Sequence, residues 1–390
     1  MEKTILMILN QKFLPDIRVE KEVEVLKKHG YRVVILASNK GYDNDNYEII
    51  RLNSLDNYLV KLNSYFFRVN KGLEKEIIKK LKANRIEKID FIHVHDLFWS
   101  YLGLHISKMF KSKLILDFHE NYPEAFAQWT KVSSLKVHTK KLLINSDKLK
   151  KYEMEMIPKA DKVILVVDEA RKRFENVFSD NKFVIVSNTE RPEDWEYSDL
   201  ERPKDKLIIS YIGGIGPYRG IDTVLKGMSY LDENYLLYIV GVDKKKPYYE
   251  IINSLKNENN KNNIILEEWI PFNKVQEYIN RSHICLVPHN KSEFTETTIP
   301  HKLFQYMAMK RPVLVSDVSP LKRIVHETKA GEVFKAGDPR SFAQKIKDMS
   351  NFERLLEYGE NGRRAVEGKY NWENDAKRLI NMYQELENER

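Results

Sequence analysis

Short apolar runs separated by amphipathic stretches recur along the 390-residue chain. TILMIL (4–9), RVVILAS (32–38), FIHVH (91–95), KLILDF (113–118), KVILVV (162–167) and FVIVSN (183–188) read as strands. They are nearly continuous apolar runs, as expected of parallel strands covered by helices on both faces. Between the first two, the stretch Val19 to His29 reads as a helix and stops at Gly30, a residue suited to a helix C-terminus. A polar segment follows, SNTERPEDWEYSDLERPKDK (187–206), with two prolines and no apolar period, and it reads as a linker. The alternation then restarts with LIISYIGG (207–214), YLLYIVG (235–241), NIILEEW (263–269), HICLVP (283–288), PVLVS (312–316) and GEVFKA (331–336).

This pattern predicts an α/β protein of two Rossmann-like, doubly wound parallel-sheet domains, residues 1–190 and 207–370, joined by a linker at 191–206. In YNWENDAKRLINMYQEL, Asn371 suits an N-cap, and Trp372, Ala376, Leu379, Ile380 and Tyr383 share one face. Residues 371–390 are therefore expected to form a closing helix packed back toward the N-terminal domain. Open α/β sheets bind ligands beyond the carboxyl ends of their strands, so two in tandem are expected to face a cleft.

Composition narrows the chemistry. Sixty-five basic against 57 acidic residues give a net charge of +8, which favours phosphate-bearing ligands or an anionic membrane surface and does not itself indicate nucleic acid. The single cysteine, Cys285, lies in an apolar run and fits a reducing cytoplasm. The N-terminal MEKTILMILN reads as a first strand rather than a signal peptide, and no stretch is apolar enough to span a bilayer, so membrane contact is expected to be peripheral. LKVHTKKLLINSDKLKKYEMEM (135–156) carries six lysines with leucines interspersed. It reads either as a solvated helix face or as a contact for anionic lipid or a lipid-linked acceptor.

Two strand-to-helix segments carry candidate chemistry. In YIGGIGPYRGID (211–222), Gly213, Gly214, Gly216 and Gly220 let backbone approach a ligand, the following helix start attracts an anion, and Arg219 adds a fork suited to phosphate. In TTIPHKLFQYMAMKRPVLVSD (297–317), Thr297 and Thr298 are expected to cap a helix opening at Pro300. His301, Lys302 and Gln305 are expected near its exposed start, with Lys302 reaching a phosphate and Gln305 a hydroxyl one turn deeper. His93 and His95 in FIHVHDLFW alternate onto one strand face, where Asp96 and His119 could join them, but no further ligands lie close by in sequence, so they read as packing histidines rather than a metal site.

Taken together, these segments resemble the retaining, nucleotide-sugar-dependent glycosyltransferases of family 4, with the GT-B fold, over nearly the whole chain. FLPDIRVEKEVEVLKKHGYRVVIL (13–36) is similar to their first loop and helix, LDFHENYPE (116–124) to an Asp-x-His-Glu segment of one branch, and YIGGIGPYRGID to their phosphate loop. IPHKLFQYMAMKRPVLVSD resembles their donor-binding helix and strand, and YNWENDAKRL their closing helix.

The resemblance implies transfer of a sugar from a nucleotide diphosphate sugar to a saccharide or lipid-linked acceptor, in cell-surface polysaccharide or glycoconjugate synthesis, without a metal or other cofactor. It implies that His119 faces the sugar and that Arg219 and Lys302 hold the diphosphate. The glycines, Thr297, Thr298 and Gln305 would line the donor site, Trp269 and Ile270 the base, and Asp16, Arg18 and Glu120 the acceptor side. The chain departs from the family pattern in having Thr297 and Gln305 at two positions usually held by Glu, Gly214 at a usual Arg, and Lys310 at a favoured Gly. Gln305→Glu would on this reading restore a charged acceptor and strengthen nucleotide binding. The loss of both carboxylates raises a second reading, a catalytically silent partner of an active transferase; a metallohydrolase built on His93 and His95 is a third.

Overall fold

The computed structural model describes residues 2–10, 13–68, 70–131, 145–198, 205–258 and 263–389. The chain gathers into two compact units. Of the described residues, the first takes those up to Ala127, the segment from Asn145 to Val186 and the stretch from Asp375 onward; the second takes 128–131 and Ser187–Asn374.

The first unit is built on a seven-stranded sheet of order β3-β2-β1-β4-β5-β6-β7. Its strands are β1 (Lys3–Ile8), β2 (Tyr31–Ser38), β3 (Glu48–Leu52), β4 (Phe91–His95), β5 (Lys113–Phe118), β6 (Lys162–Leu165) and β7 (Phe183–Ile185). Every neighbouring pair is parallel. All five residues of β4 are buried, as a strand covered on both faces requires. The sequence reading has no counterpart to β3, an edge strand whose EIIRL carries two charges and buries only Ile50 and Leu52.

The second unit repeats the scheme with six parallel strands of order β10-β9-β8-β11-β12-β13. These are β8 (Leu207–Ile212), β9 (Tyr235–Val242), β10 (Ile264–Glu268), β11 (Ile284–Val287), β12 (Val313–Ser316) and β13 (Gly331–Phe334). In each sheet the winding reverses beside the first strand, between β1 and β4 and between β8 and β11. Ligands of such sheets bind beyond the strand ends at that reversal, which in the second unit is bounded by the loop 213–220 and the segment 288–300.

Of the polar stretch read as a linker, residues 187–198 pack against the second unit. Trp195 is buried, and Arg363 Nη1 donates to the carbonyls of Pro192 and Trp195. The helix Trp372–Asn388 carries Trp372, Ala376, Leu379, Ile380 and Tyr383 buried, and Asn371 Oδ1 accepts from Asn374 N at 3.0 Å. Cys285 is buried and unpaired by any disulfide. Residues 135–144 of the lysine-rich stretch lie outside the described residues; the rest includes the helix Ser146–Met156, which buries Leu149, Tyr152, Glu153 and Met156. Among the described residues no helix is long and apolar enough to cross a membrane.

Candidate functional site

The glycine loop after β8 is shaped by close backbone approaches. Gly213 has φ of +131°, and a Cβ there would sit 2.7 Å from Lys302 Nζ. Gly220, at φ +67°, stands directly before the helix Ile221–Met228, and a Cβ on it would fall 1.8 Å from Pro288 O. Only glycine fits where a left-handed backbone meets another chain segment at that range. Asn290 ties the loop to the segment after β11, donating through Nδ2 to Pro217 O at 2.8 Å and through N to Tyr218 O at 3.0 Å.

Into this loop points the ammonium of Lys302. The helix His301–Ala308 places Lys302 Nζ 3.8 Å from the centre of the Tyr211 ring, and the nitrogen is buried with no hydrogen-bond partner among the described residues. Burial, and then the Arg219 guanidinium, hold its pKa well below the usual 10.5. Arg219 lies over the Tyr218 ring at 4.6 Å and has Nη1 3.0 Å from His289 Nε2. Burial and the two cations keep His289 neutral at ordinary pH, so it accepts from Arg219 without cancelling its charge. A buried ammonium and a half-buried guanidinium thus lie together, and no carboxylate figures among the charges acting on Lys302.

Three expectations for this helix need correction. Thr297 and Thr298 do not cap it: the N-cap is Pro300, without a side-chain bond, and the Thr297 hydroxyl donates to Glu293 O at 2.7 Å inside its own turn. The proline puts the helix start beyond the reach of both hydroxyls. Lys302 and Gln305 are not left at an exposed end, because the helix packs its first turn inward and buries the Lys302 nitrogen and Gln305. Gln305 turns the Nε2 of its amide, though not its carbonyl oxygen, to Glu190: Nε2 donates to Glu190 Oε1 at 2.8 Å, and His301 Nδ1 lies 3.1 Å from the same oxygen. Glu190, buried in the stretch read as linker, was not a candidate residue. Gln305→Glu would set a second carboxylate against it, so the expected gain in nucleotide affinity is withdrawn.

Trp269 is 68% exposed, and the Cβ position of Gly214 lies 3.7 Å from its ring; Ile270 is half-buried. Gly216 belongs to the same loop and is extended, with φ of 179°. Neither Tyr211 nor His289 was expected, although His289 stands two residues beyond β11, at the strand end where ligands of this topology gather.

In the first unit the predicted residues Arg18 and His119 meet in a buried polar network. Arg18 Nη2 donates to both oxygens of Asp117 at 3.2 and 3.1 Å, Nη1 to Val186 O at 3.1 Å, and Nε lies 3.1 Å from Glu22 Oε1. Arg18 is 5% exposed, so its guanidinium faces inward rather than toward an acceptor. His119 Nε2 is 3.2 Å from Asp117 Oδ2 and 2.9 Å from His95 Nδ1. Burial alone would lower the imidazolium, but Asp117 outweighs it and raises the His119 pKa to about 9. Despite burial, Arg18 and His119 hold Asp117 well below the carboxylate range, whereas burial and Asp117 push Glu22 up to about 8. Asp16 is the N-cap of the helix Ile17–Lys28, accepting from Val19 N, and Glu120 is half-buried directly after His119.

The fold is that of two Rossmann-like units, the second with Lys302 and Arg219 at its strand ends. Comparison supplies the particular family. A model described as Glycosyltransferase Family 4 matches residues 18–189, and one described as Glycosyl transferases group 1 matches residues 194–365. The chain belongs to the group 1/family 4 glycosyltransferases. It is 21% identical over 380 residues to MJ1607, an uncharacterised glycosyltransferase of Methanocaldococcus jannaschii, covering 92% of this chain and 91% of that one. To CapM, a capsular polysaccharide biosynthesis glycosyltransferase of Staphylococcus aureus, it is 23% identical over 183 residues, 46% of each chain. The crystal structure of Anabaena HepE in complex with UDP-glucose superposes with a TM-score of 0.71 at 10% identity, over 98% of this chain and 99% of that one.

Two outcomes follow from the site's electrostatics. Lys302→Met should stabilise the ligand-free protein by about 1–3 kcal/mol, the scale for relieving a buried polar group without a partner. The folded state holds the lysine pKa below 10.5, so between the two values the unfolded chain binds more protons and wild-type stability rises with pH. The gap between variant and wild type should narrow as pH rises toward 10.5, measured by urea unfolding at several pH values. A gap independent of pH would show that the ammonium is not penalised. Gln305→Glu should destabilise by about 1–3 kcal/mol at neutral pH through repulsion from Glu190, less on acidification, with most of the loss recovered in Gln305→Glu/Glu190→Gln.

Proposed function

We propose that the protein transfers a sugar, with retention, from a nucleoside diphosphate sugar to a saccharide or lipid-linked acceptor in the synthesis of a cell-surface polysaccharide or glycoconjugate. The observation that carries this reading is the buried, unpartnered Lys302 ammonium beside Arg219 under the glycine loop. A departing nucleoside diphosphate gains charge at its terminal phosphate, and two cations fixed in a water-poor site stabilise that charge without reorganising. The helix start at His301, uncapped by any side chain, adds its dipole. This set of charges serves a leaving diphosphate with no metal.

Gly213, Gly214 and Gly216 are assigned to the backbone approach to the phosphates, Trp269 and Ile270 to the base, and Gln305, with Glu190 behind it, to the sugar hydroxyls of the nucleoside. His119 is assigned to the transferred sugar. The UDP-glucose bound by HepE supports a nucleotide sugar donor, and the capsular role in the name of CapM supports a polysaccharide product. A lipid-linked acceptor would bring the enzyme to the membrane surface as a peripheral protein.

Calorimetric titration with UDP and with uridine, in the presence of a chelator, tests the reading. UDP should bind, and Lys302→Ala should weaken it by about 1.5–3 kcal/mol, the scale of a charge-assisted hydrogen bond, while leaving uridine unchanged. Failure of every nucleoside diphosphate to bind at millimolar concentration would sink the proposal. In turnover assays His119→Ala should lower kcat by about 10²-fold or more with little change in donor affinity.

A further inference from the structure

The polar network of the first unit leaves specific atoms unsatisfied. Glu22, on the helix Ile17–Lys28, His93 and His95, on β4, and Asp117, on β5, are all buried, and one ligand atom from each lies within 4.8 Å of the other three. Among the described residues neither oxygen of Glu22 accepts a hydrogen bond, although Oε1 is ion-paired with Arg18 Nε at 3.1 Å, and Nε2 of both histidines has no hydrogen-bond partner. Arg18 lies against both carboxylates, and His119 lies against Asp117.

The orientation of the rings matters as much as their proximity. His93 Nδ1 lies 2.8 Å from Tyr383 Oη and His95 Nδ1 lies 2.9 Å from His119 Nε2. With His93 Nδ1 donating to Tyr383 Oη, its Nε2 lone pair faces Asp117; His95 presents Nε2 to Glu22 in the same way in the form in which His119 has released its Nε2 proton, which uptake of a cation requires, and the two strand histidines are stacked with centroids 4.4 Å apart. Metal-bound imidazoles are held this way, one nitrogen on the ion and the other on an outer partner that fixes tautomer and direction. A tetrahedral ion with bonds near 2.1 Å needs ligand atoms about 3.4 Å apart. His93 Nε2 to Asp117 Oδ2 is 3.6 Å and His95 Nε2 to Glu22 Oε2 is 3.9 Å, and all four ligand atoms lie within 4.8 Å of one another, so the side chains would draw together around an ion.

We infer that Glu22, His93, His95 and Asp117 form a binding site for one divalent transition-metal ion that ties the first helix to β4 and β5. Two imidazoles and two carboxylates suit zinc, with manganese, iron and cobalt as weaker or geometrically different alternatives. The ion is structural: it holds His95, and through it the ring of His119. Sequence inspection missed the site because Glu22 and Asp117 are remote from FIHVHDLFW in the chain and adjacent to it only across the sheet.

The test uses the full chain, stripped with chelator and dialysed, and titrated with Zn²⁺ by calorimetry and with Co²⁺ by visible absorption. One equivalent should bind with micromolar or tighter affinity, raise the melting temperature, and give a Co²⁺ spectrum without a thiolate band, since Cys285 is not involved. Tyr383→Phe, which keeps the ring and removes only the outer hydroxyl, should weaken Zn²⁺ binding about 10-fold or more, and His95→Gln further still. If His95→Gln does not fold, the wild-type stoichiometry and the Tyr383→Phe affinity decide the matter. The inference is overturned by wild-type protein that takes up no saturating equivalent at 100-fold molar excess, or by unchanged affinity in Tyr383→Phe.

Discussion

The second unit is organised around one unfavourable act, the burial of the Lys302 ammonium where no anion meets it. Such a group loses its hydration and receives in exchange only the face of Tyr211 at 3.8 Å, which offsets part of the loss. Everything adjacent keeps that arrangement possible. Gly213 leaves room where a Cβ would strike the nitrogen, and Gly241 has no side chain to strike Gly213 in turn. His289 matters for what it is not. A carboxylate in its place would hold Arg219 as well but would neutralise it, whereas a neutral imidazole fixes the guanidinium and leaves the positive charge for a ligand.

The first unit has the same topology and the opposite electrostatics. At its own winding reversal the cation, Arg18, is spent inward on Asp117, Glu22 and a backbone carbonyl. A shared fold therefore does not make two phosphate sites; what decides is whether the protein supplies the counter-charge itself or leaves it to a ligand. Asp117 also explains why His119 carries a proton at ordinary pH: the carboxylate, held down by Arg18, stabilises the imidazolium against burial.

How much of this the sequence disclosed depends on whether the physics was local. The apolar runs were read as strands because both faces of parallel strands are covered, and this succeeded for all six of the second sheet. It failed for β3, whose edge position tolerates Glu48 and Arg51. The glycine loop was legible as backbone designed for close approach, and Lys310, noted only as an oddity, proves to follow the helix His301–Ala308 at φ +53°, the conformation glycine adopts most readily. What remained hidden were long-range pairs. Gln305 meets Glu190 across 115 positions and Arg18 meets Asp117 across 99, and no local pattern announces either. Burial of Lys302 was invisible for another reason: lysine at a helix start ordinarily reaches water, and only the tertiary placement of Tyr211 and Arg219 shows that this one does not.

The pair formed by Gln305 and Glu190 bears on whether the chain is active at all. Read along the chain, carboxylates are missing at Thr297 and Gln305, and that double loss was the motive for treating the protein as a silent partner. In space a carboxylate is present, fastened by the Gln305 amide and by His301, which stand one turn apart on the same face. Lys302, one residue on from His301, projects from a different side of the helix, and Glu190 does not figure among the charges acting on it. A helix of only eight residues therefore separates an anionic face from a cationic one. Had the carboxylate been carried at position 305 itself, the same separation would have required no partner; moving it to Glu190 makes the arrangement depend on the stretch that enters the second unit. At position 305 the sequence departure thus relocates a charge rather than deleting it, and the argument for inactivity is left resting on Thr297 alone.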